Sequence, residues 1–488
     1  MCNYKNRCSF YSRRNINMSE SPKQFIKRFI AFSLGPIISA CISFITVPIT
    51  THFVVPEEFG KAAMYTMALS ISSLFIFLGM DQAFTREYNT QDDKKSLFWN
   101  SLIVPLIFSF FIGAIYVMFY KTISIWMFES LEKHVMIMLA VSLPFSIIDR
   151  FNLLLIRMQE RARIYSILNV VSKLANVIVL VPYVLYIDKS FKGIINANFF
   201  SLIVMCIIEC FFVKDFWLSK FKVNKDLIHK MLCYGFPLVP ATIVSWLLNS
   251  MDKMAMRYWS TLHEIGLYEA AFKIVAVVAI VQQAFCTFWT PTAFRWYEEN
   301  VENEKYISIS NMLMCFMVFI FIFIVLFRDL IIKILSPNYA NASAIVPFLL
   351  FYPIMYTVSE ATTLGISFSK KTYYNILVSI IATGINYILN YMFVPKYGAI
   401  GASVATGISY MVFFWVRTLI SRKLWFKFNL SFYILNTLFM IIFASLDGLY
   451  HNTFINIIMS LAILFINRKE IMIMVNYGKG FLREKSFA

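Results

Sequence analysis

Apolar stretches of about 20 residues recur along the chain between short polar segments. Each is long enough to cross roughly 30 Å of hydrocarbon at about 1.5 Å per residue, and so predicts a transmembrane helix. Six fall at 29–50, 62–84, 98–119, 134–156, 166–187 and 193–213. Six more fall at 232–252, 266–289, 309–327, 344–369, 374–395 and 400–420, and two at 430–447 and 451–467. The pattern predicts an all-α polytopic membrane protein of about 14 transmembrane helices. It divides the chain into a cytoplasmic tail (1–28), an N-lobe of helices one to six (29–213), a cytoplasmic linker (214–231) and a C-lobe of helices seven to twelve (232–420). Two extra helices (421–467) and a second cytoplasmic tail (468–488) follow. Met18 offers a second start within the first tail.

The two sets of six are related. Gly235 and Pro237 answer Gly35 and Pro36, Glu264-Ile265-Gly266 answers Glu58-Phe59-Gly60, and Ala293-Phe294-Arg295 answers Ala83-Phe84-Thr85-Arg86. Further on, the stretch from Tyr374 to Leu377 answers that from Tyr165 to Leu168. An ordered series at a slowly drifting offset, with insertions collecting in loops, predicts a duplicated bundle: two pseudo-symmetric lobes.

Composition agrees, since a chain 59% hydrophobic and 15% charged, with mean hydropathy +0.68, lies outside the range of soluble domains. The formal charge of +17 would suit nucleic acid if the cations were clustered, but they sit in short segments between spans. They therefore report topology, and no nucleic-acid partner is expected. Of the 44 Lys and Arg, 30 fall on the side of the two termini and 10 on the other, which makes the termini cytoplasmic. The connections on the opposite side are all short, so no extracytoplasmic domain is expected.

The eight Cys are scattered, with no CxxC and no His at ligand spacing, and neither disulfides nor a metal is predicted. The run from Gly365 to Thr372 lacks the second Gly of a phosphate loop, and GxSxG and HExxH are absent. No cofactor and no catalytic role is expected.

Charges inside spans are the candidate chemistry, at roughly 2.5–3.5 kcal/mol each for insertion at a helix centre. They are Asp81, Asp149, Arg150, Lys173, Glu209, Asp252, Glu269, Lys273, Glu360 and Arg417. Arg150, Lys173, Lys273 and Glu360 lie deepest, and the three cations come from both lobes. A cationic lumen between lobes suits a phosphorylated or otherwise anionic solute. Asn169 and Asn176 share a helical face with Ser172 and Lys173, and Asn386 forms an i, i+4 pair with Asn390; such stripes suit either sugar hydroxyls or helix–helix contacts. The substrate-binding candidates are thus Arg150, Lys173, Lys273, Asn169, Asn176 and Asn386. Glu360, Asp81 and Asp252 are the candidates for coupling to an ion. For all of them, ion pairing between helices or snorkelling at the interface is the competing reading.

At YGFPLVPATIVSWLLNSMDK, HEIGLYEAAFKI, FWTPTAF and INYILNYMFVPKYGAIGASVATGISY, the chain resembles the polysaccharide-transporter family. These are O-antigen and capsule flippases of the multidrug/oligosaccharidyl-lipid/polysaccharide exporter superfamily. PEEFGKAAMYTMALSISSLFIFLGMDQAFTREY resembles the opening hairpin of the same family. The resemblance implies two six-helix lobes around a central cavity that opens alternately to either side of the bacterial inner membrane. It implies as cargo an undecaprenyl-diphosphate-linked oligosaccharide for O-antigen, lipopolysaccharide or another surface polysaccharide, with membrane lipids and the polymerase and chain-length regulator of the same pathway as partners. Drug/cation antiporters of the superfamily are the nearest rivals. One branch of them places an acid in the first span, and residues 29–50 contain no Asp or Glu. A membrane-embedded polymerase would require a large outer loop.

Overall fold

The computed structural model describes residues 22–474. Most of both predicted tails, including the Met18 start and Cys2 and Cys8, lies outside the described residues. The N-lobe contains α1 (Pro22–Phe53), α2 (Pro56–Phe77), α3 (Met80–Glu87), α4 (Lys94–Met118), α5 (Tyr120–Phe128), α6 (Lys133–Met158), α7 (Ala162–Tyr186) and α8 (Phe191–Phe212). After α9 (Lys214–Trp217), the C-lobe contains α10 (Lys225–Gly235), α11 (Val239–Trp259), α12 (Leu262–Glu298), α13 (Asn303–Leu335) and α14 (Val346–Leu349). It continues through α15 (Phe351–Thr362), α16 (Leu364–Phe368) and α17 (Tyr373–Leu424), and α18 (Ser431–Tyr450) and α19 (Thr453–Ile466) follow.

Local chemistry sets the helix ends. Pro56 opens α2 with Glu57 and Glu58 in the first turn, where their charge meets the helix dipole. Asp93, Asn224 and Thr261 each accept a backbone N–H of the first turn of α4, α10 and α12. The Asn224 cap starts a helix at Lys225, inside the stretch read as linker, and a 3₁₀ turn at Phe236–Leu238 joins it to α11. Between α2 and α3, Leu78 and Gly79 both take left-handed φ angles, of 46° and 73°. Gly398 (φ 50°, ψ −127°) breaks the 52-residue α17 where the eleventh predicted span gives way to the twelfth.

Among the described residues ten helices are long and apolar enough to cross a membrane, or eleven if the bent pair Pro337–Ala344 and Val346–Thr362, meeting at 56°, forms one span. The expected count of 14 is not reached among the described residues: α17 counts once despite its break, of α1 only the stretch Ile37–Phe53 enters the count, and Thr453–Ile466 is short. The outer surfaces are apolar, as at Phe110, Phe111, Ile207 and Phe211, which face outward on α4 and α8. That arrangement suits lipid as solvent.

In the N-lobe α1 packs on α7, α4 on α6, and α8 on both α6 and α7. In the C-lobe α17 packs on α11 and α15, and α13 on α15, with α18 and α19 against the far side of α13. The lobes meet along α2 and α12. The end of the bundle where α1 begins is called the near end below, and the opposite end, holding Pro56, Leu262 and Gly398, the far end.

Candidate functional site: a cationic cavity between two lobes

A cavity of about 390 Å³ lies where α1 and α7 of the N-lobe face α12 of the C-lobe. Ser39, Ser43, Phe44 and Val47 of α1 line one wall, Asn169 and Lys173 of α7 another, and Lys273, Ala276, Val277 and Ile280 of α12 the third. Among the described residues no carboxylate lies within ion-pairing distance of Lys173. Lys273 Nζ lies 3.1 Å from Glu269 Oε1, and the other oxygen of that buried carboxylate receives Lys253 Nζ at 2.7 Å. Two lysines therefore share one glutamate while Lys173 has no such partner, so three cations near one anion leave an excess of two positive charges. Cation–anion attraction of about 4 kcal/mol at 4 Å and an effective dielectric near 20 gives such an excess real weight for an anion stripped of water.

Other predicted residues lie elsewhere. Arg150 is half exposed and pairs with Asp81 of α3 at 2.8 Å. Asn176 donates to Asn198 Oδ1 at 2.7 Å, joining α7 to α8. Glu360 and Arg417 form an ion pair at 2.6 Å, and the guanidinium also donates to Ser359 Oγ and Asn375 Oδ1. None of Arg150, Asp81, Asn176, Glu360 and Arg417 lines the cavity.

Asp252 of α11 forms a second polar centre, buried inside the C-lobe. Its Oδ1 accepts the side-chain amides of Asn386 at 3.1 Å and Asn390 at 2.8 Å, and its Oδ2 accepts Tyr268 Oη at 2.8 Å and Thr406 Oγ1. No Lys or Arg among the described residues pairs with it. An intramembrane carboxylate held by neutral donors with no counter-ion is costly, which sets this centre apart from the ion pairs elsewhere in the bundle. The i, i+4 spacing of Asn386 and Asn390 signals one face of this centre; nothing local in the sequence signals Tyr268 or Thr406. Among the described residues no group of three or more His, Cys, Asp or Glu could hold a metal ion. A larger recess of about 680 Å³ opens at the far end, lined by C-lobe residues such as Asp329, Lys333 and Tyr397 and by His451 between α18 and α19; it is not shared between lobes.

The cavity is flanked at both ends by close approaches between the lobes. At the far end a Cβ on Gly266 would collide with the Pro56 carbonyl, and one on Gly60 with the Leu262 carbonyl. At the near end Gly79 and Gly235 meet backbone to backbone. Close by, Lys230 Nζ reaches Glu87 Oε2 at 2.5 Å, and the Arg86 guanidinium lies 4.2 Å from the Tyr234 ring centre.

Two helical lobes that share a cavity neither forms alone, with close backbone contacts between them towards both ends of the bundle, define a two-lobed helical membrane protein. The chain belongs to the polysaccharide biosynthesis protein family, which matches residues 25–295, more than half its length. Among curated proteins it is similar to "Probable low-salt glycan biosynthesis flippase Agl15" of Haloferax volcanii, with 24% identity over 178 residues. That match covers 36% of this chain and 38% of the relative. Among solved structures its fold is similar to that of "Lipid II flippase MurJ, inward closed conformation", with a TM-score of 0.68 at 15% identity over 92% of this chain and 99% of the other. It is also similar to an inward-facing multidrug resistance MATE family transporter of the MOP superfamily, with a TM-score of 0.60 at 14% identity over 81% of this chain and 94% of the other.

Proposed function

We propose that the protein translocates lipid-linked oligosaccharide repeat units, carried on undecaprenyl diphosphate and destined for O-antigen or another surface polysaccharide, across the bacterial inner membrane by alternating access. It acts as a transporter, not an enzyme. The observation that carries this reading is the pair of cations that opposite lobes contribute to one cavity, Lys173 on one side and Lys273 on the other, with Lys253 drawing on the Glu269 carboxylate that Lys273 would otherwise have to itself. The cargo's diphosphate is its most charged part and the one least able to enter hydrocarbon unaided, so a cationic cavity lowers the largest barrier to crossing. A drug/cation antiporter would place an anion where this cavity places lysines.

In this reading the near end is cytoplasmic, following the distribution of Lys and Arg. Release of the Gly79–Gly235 approach admits cargo, and release of the Gly60–Gly266 approach discharges it. Asp252 is the proposed site of the coupling ion. Glu360 and Asp81, each held by an arginine, maintain the packing of their own lobes.

Deleting the gene tests the function: surface glycan is lost while lipid-linked units accumulate facing the cytoplasm. Normal appearance of single units on the outer face in a deletion strain without a second flippase overturns the proposal. Topology is tested separately by a Cys placed at residue 220, which membrane-impermeant maleimide labels only after the cytoplasmic face is exposed.

A further inference from the structure

Asp149 of α6 and Glu209 of α8 lie carboxyl to carboxyl where their helices pack, outside the cavity and outside the Asp252 centre. Glu209 is 0% exposed. Neither of its oxygens receives a hydrogen bond from a protein donor among the described residues, and the Asn152 amide beside it donates instead to Cys210 Sγ at 3.5 Å. Asp149 is only part-buried, so one member of the pair keeps accessible surface and the other has none.

Two carboxylates pressed together in a low-dielectric bundle repel, and nothing between them offsets the repulsion. Such pairs persist by sharing one proton, the O–H of one acid donating to an oxygen of the other. The charged and titratable groups that bear on the pair are Arg150 on α6, Lys173 on α7, and the thiols of Cys206 and Cys210 on α8; none comes from α2, α4, α5 or α9. Arg150 is already occupied by Asp81 of α3. Lys173 is the exception, because it bears on Asp149 and lines the cavity as well.

We propose that the Asp149–Glu209 pair is a proton-binding site, linked through Lys173 to the binding of anionic cargo in the cavity. The linkage clause rests on the cavity being the cargo site, as proposed above. With the pair protonated, Lys173 has less negative charge to answer within the N-lobe and more of its field is available to a diphosphate. By reciprocity, an anion in the cavity withdraws Lys173 from Asp149 and favours proton uptake by the pair. The proton moves between solvent and the carboxyl pair, and no bond other than O–H forms or breaks.

Infrared spectra of the full-length protein in nanodiscs at pH 8, without ligand, read the shared proton directly. A carboxylic-acid C=O band is expected in the wild type and lost in Glu209→Gln and in Asp149→Asn, whose amides preserve shape and hydrogen bonding. Absence of the band from the wild type overturns the proposal whatever the protein transports. Titration calorimetry with inorganic pyrophosphate, in buffers of different ionisation enthalpy, reads the linkage. Net uptake of a fraction of a proton is expected in the wild type, with affinity falling by at most about tenfold per pH unit, the limit for one linked proton. Glu209→Gln, fixed in the protonated shape, is expected to bind pyrophosphate with no proton uptake. Uptake unchanged in both variants, or absent from a wild type that binds pyrophosphate, overturns the linkage. Failure of pyrophosphate to bind at all overturns the linkage together with the cargo reading, and leaves the infrared band to decide the shared proton alone.

Discussion

Lys173 of α7 and Lys273 of α12 face one cavity from opposite lobes, and only Lys273 has a carboxylate, Glu269, in ion-pair contact. The two are therefore not equivalent. Lys173→Gln removes a cation free to meet cargo, and is expected to reduce glycan export at least tenfold at unchanged abundance. Lys273→Gln leaves Glu269 to Lys253 and is expected to reduce export less, while Lys→Arg at either site preserves charge and most activity. Export normalised to membrane protein checks both; wild-type export from Lys173→Gln rejects the cationic cavity as cargo site.

Asp252→Asn keeps the shape of its centre but removes the charge that Asn386, Asn390, Tyr268 and Thr406 surround. Its expected effect is loss of dependence on the ion gradient together with slow transport, with the protein still folded. Asp252→Leu removes the acceptor all four share and leaves the Asn386 amide without one, while Asn390 keeps the Asn386 oxygens and Tyr268 keeps Thr406; it is expected to destabilise by about 1–3 kcal/mol. Comparing thermal midpoints in detergent with transport in vesicles separates the two effects.

The far-end seal has no room for side chains. Gly266→Val or Gly60→Val pushes α2 and α12 apart, since each new Cβ meets a backbone carbonyl that cannot rotate away. The far end is then expected to stay open, so that a Cys introduced near Val47 of the cavity wall becomes reactive to impermeant reagents from outside. Unchanged reactivity excludes this contact as a gate.

Glu87, which lies outside the candidate membrane spans, and Lys230, in the second turn of the span Lys225–Trp259, clamp the near end. Burial pushes the Glu87 carboxyl up, but hydrogen bonds from Lys230 and Thr90 and the Lys230 charge outweigh it and hold the group below the ordinary glutamate range. The clamp's stabilisation is therefore complete above that range and is lost as pH falls through the lowered value. Glu87→Gln is expected to cost on the order of 1 kcal/mol at pH 7, as for an exposed-side ion pair. The difference from wild type should vanish once both are measured well below pH 4; a difference that persists there excludes the ion pair as its origin.

Much of this architecture is legible in the sequence because the duplication carries structural work. Glu58 Oε2 accepts the N–H of Phe191 at the start of α8, at 2.8 Å, and Glu264 Oε2 accepts that of Ala399 just past the break in α17, at 2.9 Å. The repeated Glu-x-Gly is thus one device used twice: an acid that caps the last span of its own lobe, and a glycine that lets the other lobe approach. Lys173, Asn169 and Lys273 can be picked out by the cost of polarity in a span, and the structure brings them to one cavity. The same rule selects Arg150 and Glu360 equally well, because cost alone does not distinguish a lumenal charge from one neutralised by a neighbouring helix. Lys253 is overlooked because the seventh span is read as ending at residue 252, whereas α11 runs to Trp259 and carries that lysine to Glu269 of α12. The Asp149–Glu209 contact depends on how α6 and α8 are rotated, which apolar periodicity in a nearly all-apolar helix does not determine.

The break at Leu78 and Gly79 gives the hairpin of α2 and α3 a further significance. Its far end is pinned to α12 through Gly60, and its near end to α10 through Gly79 itself, so a single stretch of N-lobe chain is fastened to the C-lobe at both mouths of the cavity. Two lobes riveted at both ends of one rod do not rock past each other as solid blocks. In the alternating access proposed above, each half-cycle would undo one rivet while the other serves as the hinge pin, with the left-handed step at Leu78–Gly79 as the joint between α2 and α3. Whichever fastening is the weaker sets the direction in which the empty protein waits.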